Sequence, residues 1–137
     1  IGALKKLVKD QKNFLVIGPT GCGKTSIMNA LLLETGERCR SVIIEDASEL
    51  KVPNALSSKL LTRVSPFNQS IPEVNQGELV RRALRLRPDR LIMGEIRSVE
   101  AKDFLMAIAT GHAGSFASLH AQDPHQALIR LEMLIQM

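Results

Sequence analysis

Asn13-Phe14-Leu15-Val16-Ile17, then Gly18-Pro19-Thr20-Gly21-Cys22-Gly23-Lys24-Thr25, then Ser26-Ile27-Met28-Asn29-Ala30-Leu31-Leu32-Leu33 follow one another without a break. The first stretch is a short apolar run of the kind that forms a buried parallel strand. The second matches G-x-x-x-x-G-K-[ST] in full. The third, joined to Lys24 and Thr25, has the pattern of an amphipathic helix that Thr35-Gly36 ends. Strand, glycine-rich turn and helix thus stand in the order a phosphate-cradling loop requires. In such a loop the backbone N–H groups of Gly21, Cys22, Gly23 and Lys24 turn inward on phosphate oxygens, backed by the positive end of the helix dipole. Lys24 is expected to bridge the β- and γ-phosphates of a nucleoside triphosphate, and the Thr25 hydroxyl to hold Mg²⁺. Gly18, Pro19, Thr20, Gly21, Cys22, Gly23, Lys24, Thr25 and Ser26 together form the expected nucleotide-binding segment.

Outward from the loop, strand and helix patterns alternate. Residues 40–44 read as a second strand running into Glu45-Asp46, and 59–64 as a third, shorter one. Residues 65–75, with Pro66 and Pro72, form the longest loop-like stretch. A helix is expected over 76–87, stopped by Pro88-Asp89, then an apolar strand over 91–95 that ends on a carboxylate. A helix over 98–110 has Ser98 as its expected cap. Residues 115–119 make a last strand, and Asp123-Pro124 opens a helix that continues to Met137. This alternation predicts an α/β domain with a mostly parallel sheet flanked by helices.

Composition narrows the class. With 137 residues, 45% of them hydrophobic, the chain is expected to be one domain with a real core. No apolar run approaches the roughly 20 residues of a membrane span. Residues 1–11 are a charged amphipathic segment with Lys5, Lys6 and Lys9, not a signal peptide, and a start at Ile points to a piece of a longer chain. Cys22 and Cys39 lack paired spacing, so a reducing cytosol is the natural setting. The net charge of +4 suits a triphosphate, a nucleic acid or an acidic membrane face, and decides among none of them. There is no Trp or Tyr, and Phe14, Phe67, Phe104 and Phe116 are scattered, so no platform for stacking single-stranded bases is evident.

In open α/β sheets ligands sit beyond the carboxyl ends of the strands. The residues expected there are the loop at 18–25, Glu45 with Asp46, Arg63, Glu95 and His120. One strand-end carboxylate alone is as often a helix cap or a turn residue. Beside a phosphate loop the set gains weight. Glu95 fits the position from which a carboxylate orients the Mg²⁺ shell through water, and Glu45 suits orientation or deprotonation of the attacking water. Thr110-Gly111-His112-Ala113-Gly114-Ser115-Phe116-Ala117-Ser118-Leu119-His120-Ala121 places two histidines around one strand, with His120 able to donate to a γ-phosphate. Zinc is excluded, because no Cys-x-x-Cys or His-x-x-x-His spacing supports it.

These residues carry a family resemblance over nearly the whole chain. Val42-Ile43-Ile44-Glu45-Asp46-Ala47-Ser48-Glu49-Leu50 resembles the acidic "Asp box" of the type II/type IV secretion and pilus-assembly ATPases. Arg87-Pro88-Asp89-Arg90-Leu91-Ile92-Met93-Gly94-Glu95-Ile96-Arg97 is similar to their Walker B strand, which ends Gly-Glu-[Ile/Val/Met]-Arg, and 110–121 resembles their His box. Tad/CpaF-type pilus ATPases and the conjugal-transfer and type IV secretion traffic ATPases are closest in wording. Ala113 departs from the polar or acidic residue expected there. The resemblance implies a RecA-like P-loop ATPase domain over 1–137, using Mg²⁺ with ATP, with the N-terminal domain and the C-terminal helices lying outside it. It further implies a homo-hexameric ring, a cytoplasmic position at the inner-membrane face and an inner-membrane platform protein as partner. Glu45, Glu95 and His120 are then the catalytic set, and Thr25 with Glu95 the metal set. Arg63, Arg97 and His112 are candidates for a charge-stabilising or interface role, the arginines across a subunit boundary.

Three rival functions share features of this sequence. A RecA-like DNA helicase or translocase shares the core, but the His box and the missing aromatics argue against nucleic acid. Arg81, Arg82, Arg85, Arg87 and Arg90 form a basic cluster that reads first as a solvated face balanced by Glu78. An ABC-type subunit is excluded, because Asn75-Gln76-Gly77-Glu78 lacks a Leu-Ser-Gly-Gly signature. A non-catalytic nucleotide-binding assembly module is disfavoured by the carboxylates for the whole protein and stays open for these 137 residues taken alone.

Overall fold

The computed structural model describes residues 1–67 and 70–137. Five strands, β1 (Phe14–Gly18), β2 (Ser41–Glu45), β3 (Ser58–Leu61), β4 (Arg90–Ile96) and β5 (Phe116–His120), form one sheet in the order β1-β5-β4-β2-β3. Every neighbouring pair in it is parallel. The helices are α1 (Gly2–Lys9), α2 (Lys24–Leu33), α3 (Gln76–Ala83), α4 (Glu100–Ala109) and α5 (Pro124–Gln136).

Alternation along each strand explains why the helices divide between two faces. Val42, Ile44, Leu91, Met93, Ala117 and Leu119 turn to one face, where they pack with Leu79 and Val80 of α3, Phe104 of α4 and Leu131 of α5. Ile43, Ile92 and Phe116 turn to the other, against Val8 of α1 and Met28, Leu31 and Leu32 of α2. On that second face the rings of Phe14 and Phe116, paired in register across β1 and β5, stack with centroids 4.7 Å apart. The near-continuous apolar strands are what burial on both faces demands.

Several boundaries differ from the sequence expectation for visible reasons. β3 begins one residue early and stops at Leu61 rather than 64, because its partner β2 ends at Glu45 and the last bond is Thr62 N–H to Glu45 O at 3.0 Å. Beyond it Arg63 and Val74 form an isolated antiparallel bridge that closes the expected loop, whose residues 68 and 69 lie outside the described residues. The helix expected over 76–87 stops being α-helical at Ala83, continues as a 3₁₀ turn over Leu84–Leu86, and ends at Arg87 with φ +53°. Pro88 disfavours helical backbone in the residue before it. Ser98 is not the cap of α4. Glu100, one residue into that helix, accepts instead from the N–H groups of Arg97 (2.5 Å) and Ser98 (2.8 Å). At α5 the expectation holds, with Asp123 accepting from Gln126 N–H at 2.8 Å and a proline in the first turn.

The basic cluster divides. Arg81 pairs with Asp103 at 2.9 Å and Arg82 with Glu78 at 2.5 Å, as a solvated face should. Arg90 does not belong with them. It is only 5% exposed and donates to Val8 O (2.7 Å) and Gly114 O (3.2 Å), while Asn13 Oδ1 accepts from the N–H groups of Gly114 and Ser115. Together these bonds fasten the end of α1 and the approach to β1 onto the start of β5.

Candidate functional site

The phosphate loop forms as its sequence requires. Gly23 takes φ +97° at the start of α2, a left-handed conformation that a side chain resists, so the turn can pass directly into the helix. Lys24 Nζ folds over the loop and donates to Gly18 O (2.8 Å) and Pro19 O (2.9 Å). A cleft of about 860 Å³ opens in front, at the carboxyl end of the sheet. Thr20, Gly21, Gly23, Lys24 and Thr25 line it from the loop, with Glu45, Asp46, Glu95, Arg97 and His120 from the strand ends. Of the expected nucleotide segment, Gly18, Pro19, Cys22 and Ser26 are not part of this lining.

Glu45 is 4% exposed and closely held. Its Oε1 accepts from the N–H groups of Glu49 (3.2 Å) and Leu50 (3.0 Å), and its Oε2 from Glu49 N–H (3.3 Å). The Lys59 ammonium stands 3.4 Å from Oε2. The side chain passes over Gly94, where an added Cβ would lie 2.8 Å from Glu45 Cγ. That contact gives a steric reason for glycine before Glu95 in the Walker B strand.

Glu95 owes its direction to a bulge. Met93 pairs with Ala117 and Ile96 with Leu119, so β4 uses one residue more than β5 over the same span. Such a bulge re-aims a side chain and interrupts the ladder. The freed Gly94 carbonyl is taken by the Ser118 hydroxyl at 2.5 Å. Arg97 clamps Glu95 Oε2 through Nε (2.6 Å) and Nη2 (2.5 Å), and its Nη1 lies 3.5 Å from Asp46. The Glu95 hydrogen bond raises the Arg97 pKa above its ordinary value, against partial burial, and the charges of Glu95, Asp46 and Glu100 add to the rise. Arg97 therefore acts on its own chain's cleft in this arrangement.

The other two interface candidates lie elsewhere. Arg63 donates to Pro72 O (3.2 and 3.0 Å) outside the cleft lining. His112 sits before β5, at the opposite end of that strand from His120, with Nδ1 2.9 Å from Ala107 O. Sequence reading missed several cleft residues. Glu49 lies 3.2 Å from the Thr25 hydroxyl, Gln76 opens α3, Ser118 faces the bulge and Arg130 reaches in from α5. Gln76 is 6% exposed, and its side-chain oxygen has no hydrogen-bond partner among the described residues. No spacing rule flags these positions, although Glu49 and Ser118 lie within the Asp-box and His-box stretches and Gln76 within 75–78.

Two oxygen donors at the mouth of the loop, Thr25 and Glu49, are of the class Mg²⁺ takes, and Glu95 faces the same cleft. Among the described residues no cluster of three or more His, Cys, Asp or Glu side chains could by itself hold a metal ion, and no helix is long and apolar enough to cross a membrane.

Known proteins resemble this chain in sequence and fold. PtlH, a type IV secretion system protein of Bordetella pertussis, is 41% identical over 131 residues, which cover 96% of this chain and 39% of that protein. The type IV secretion system protein VirB11 of Bartonella quintana is 35% identical over 136 residues, covering 99% of this chain and 38% of VirB11. Among solved structures, the VirB11 ATPase of the Brucella suis type IV secretion system, determined with sulphate, superposes with TM-score 0.85 at 32% identity over 97% of this chain and 37% of that one. The fold is thus RecA-like. The Legionella pneumophila ATPase DotB shares that fold, with TM-score 0.77 at 23% identity. This chain spans less than two-fifths of each of these proteins. Residues 2–137 match the model of the type II/IV secretion system proteins, and the chain belongs to that family.

Proposed function

We propose that this chain is the ATP-hydrolysing domain of a bacterial secretion or pilus-assembly motor. One observation carries the reading: four separate sequence stretches, at 20–25, 45–50, 94–97 and 118–120, meet around a single cleft. The loop and Lys24 bind the triphosphate. Thr25 would hold Mg²⁺ directly and Glu95 through water, and the bound ion supplies neutralisation of charge on the β- and γ-phosphate oxygens. Glu45 orients the attacking water and accepts its proton as the bond from the γ-phosphorus to the β-phosphate oxygen breaks, leaving ADP and phosphate. His120 donates to the γ-phosphate and loses that bond on hydrolysis. Arg97 fixes the Glu95 carboxylate.

The names of the relatives support secretion as the setting, and the remaining features follow the same reading. The whole protein would assemble as a homo-hexamer on the cytoplasmic face of the inner membrane, against a platform protein. Nucleotide would be clamped between this domain and another part of the whole protein, so the 137 residues alone would turn over slowly. Glu45→Gln in the complete protein tests the chemistry. Nucleotide affinity should stay within about threefold, while turnover falls by roughly 10²-fold or more. Undiminished hydrolysis removes Glu45 from the mechanism.

A further inference from the structure

Lys59 has no part in the mechanism above, yet three of its contacts lie on one short turn. It sits on the edge strand β3, opposite Ile43 in the parallel register, while Leu61 stands opposite Glu45. Paired residues in a parallel ladder face the same side, and so do residues two apart. Lys59 and Glu45 therefore project from the same face of the sheet, the one covered by α2, with the lysine stem long enough to run forward to the carboxylate. Its ammonium donates to Ser48 Oγ at 2.8 Å and to Leu50 O, and stands 3.4 Å from Glu45 Oε2. Both side chains are largely withdrawn from water, at 16% and 4% exposure. A buried carboxylate needs a counter-charge, and Lys59 is the cation beside this one.

From this geometry we propose that Lys59 is a positioning residue for hydrolysis, acting through Glu45. The turn from Glu45 to Leu50 is held at both flanks. On the α2 side, Thr25 donates to Glu49 Oε2 (3.2 Å), Asn29 to Glu49 O (3.3 Å), and Asn29 Oδ1 accepts from Lys51 N–H (2.8 Å). On the β3 side, Lys59 holds Ser48, Leu50 and the carboxylate itself. A carboxylate offers about four acceptor sites. Oε1 receives two backbone donors, whereas Oε2 receives a shared N–H and a cation at ion-pair distance. Lys59 thus fixes the plane of the group while leaving acceptor capacity on Oε2 for water. Without it, the Glu45 side chain keeps its backbone bonds but loses one of the two contacts on the second oxygen, leaving only the Glu49 N–H that is shared with the first.

This inference rests on Glu45 being the group that orients water, and the test separates the two claims. In the complete protein, kcat, KM and the dissociation constant of a fluorescent ATP analogue are measured for Lys59→Met, Lys59→Arg, Glu45→Gln and the Lys59→Met/Glu45→Gln pair, with thermal melts of each. Misplacing a reacting group by about 1 Å costs on the order of 10² in rate. Lys59→Met should lower kcat by about that factor, with KM and nucleotide affinity within about threefold. Lys59→Arg, which keeps the charge, should recover most of the loss, and Lys59→Met should cost less than about twofold in the Glu45→Gln background. Three results overturn the proposal: a Lys59→Met protein with more than half the normal kcat, an arginine variant as slow as the methionine one, or an undiminished methionine effect without Glu45. If Glu45→Gln alone turns over normally, both this proposal and the hydrolytic role of Glu45 fall. A slow Glu45→Gln with a fast Lys59→Met removes only Lys59.

Discussion

Replacing Gly94 by alanine isolates the crossing of Glu45 over the Walker B strand. The backbone there is not left-handed, so the substitution carries no conformational strain of its own. Its effect is steric. The new Cβ would stand 2.8 Å from Glu45 Cγ, 3.3 Å from Oε1 and 3.5 Å from Cβ. Restoring ordinary contact requires the Glu45 side chain to retreat by about 0.6 Å. It cannot do so freely, because Glu49 N–H, Leu50 N–H and Lys59 hold its far end and β2 holds its near end. Overpacking of this kind costs roughly 1–3 kcal/mol. That predicts a fall of several degrees in melting temperature, given the few degrees that each kcal/mol is worth in a domain of this size. A displacement over half an ångström at the water-orienting group should lower kcat by on the order of tenfold or more, given about 10² for 1 Å. The phosphate loop is untouched, so nucleotide affinity should change by less than about threefold. Steady-state turnover, nucleotide titration and a thermal melt give all three numbers. Wild-type turnover together with a wild-type melting temperature would refute the close packing of Glu45 on Gly94.

Two further substitutions probe neighbouring contacts. Lys24→Ala should abolish tight nucleotide binding, read by titration with a fluorescent ATP analogue, and retained affinity would count against the loop assignment. Ser118→Ala removes the hydroxyl that satisfies the Gly94 carbonyl at the bulge; an unpaired acceptor costs about 1–3 kcal/mol when buried, and this part-buried one on the cleft wall should cost about the lower figure. It should lower the melting temperature and slow turnover without weakening nucleotide binding, and a neutral result in both would show that the bulge does not depend on that bond.

The legible parts of this chain were those whose cause is local. Glycines at 21 and 23, followed by Lys24-Thr25, specify a phosphate loop through backbone conformation alone, and alternation along 42–44 and 91–93 assigns side chains to two faces. The convergence of Glu45, Glu95 and His120 was readable because a parallel sheet brings its strand ends to one edge. What escaped the sequence depends on partners. β3 ends where β2 runs out, not where its own apolar residues do. Ser98 has the residue type of a cap, but Glu100, at the first position of the helix, accepts from the N–H groups of Arg97 and Ser98 that precede it. Glu49, Gln76, Lys59 and Arg130 reach the site or its carboxylate from a turn, a helix start, an edge strand and a distant helix. Their direction is fixed by tertiary packing alone. The bulge at Gly94 needed the β5 register before it existed as a feature at all. Arg90 read as one more charge on a basic face until the carbonyls of Val8 and Gly114 enclosed it.

That buried arginine has a mechanical consequence. β5 carries His120 at one end, and at the other it is fastened to α1 and to the approach to β1 by Arg90 and Asn13. Five residues at about 3.3 Å each make a strut of roughly 16 Å. Lying between β1 and β4, it cannot shorten or bend without breaking ladders on both sides. A shift of the histidine along the strand axis would therefore have to be shared with β1 and β4, and with the first helix that is tied to the far end of β5. Arg90 and Asn13 are the side chains that make this tie.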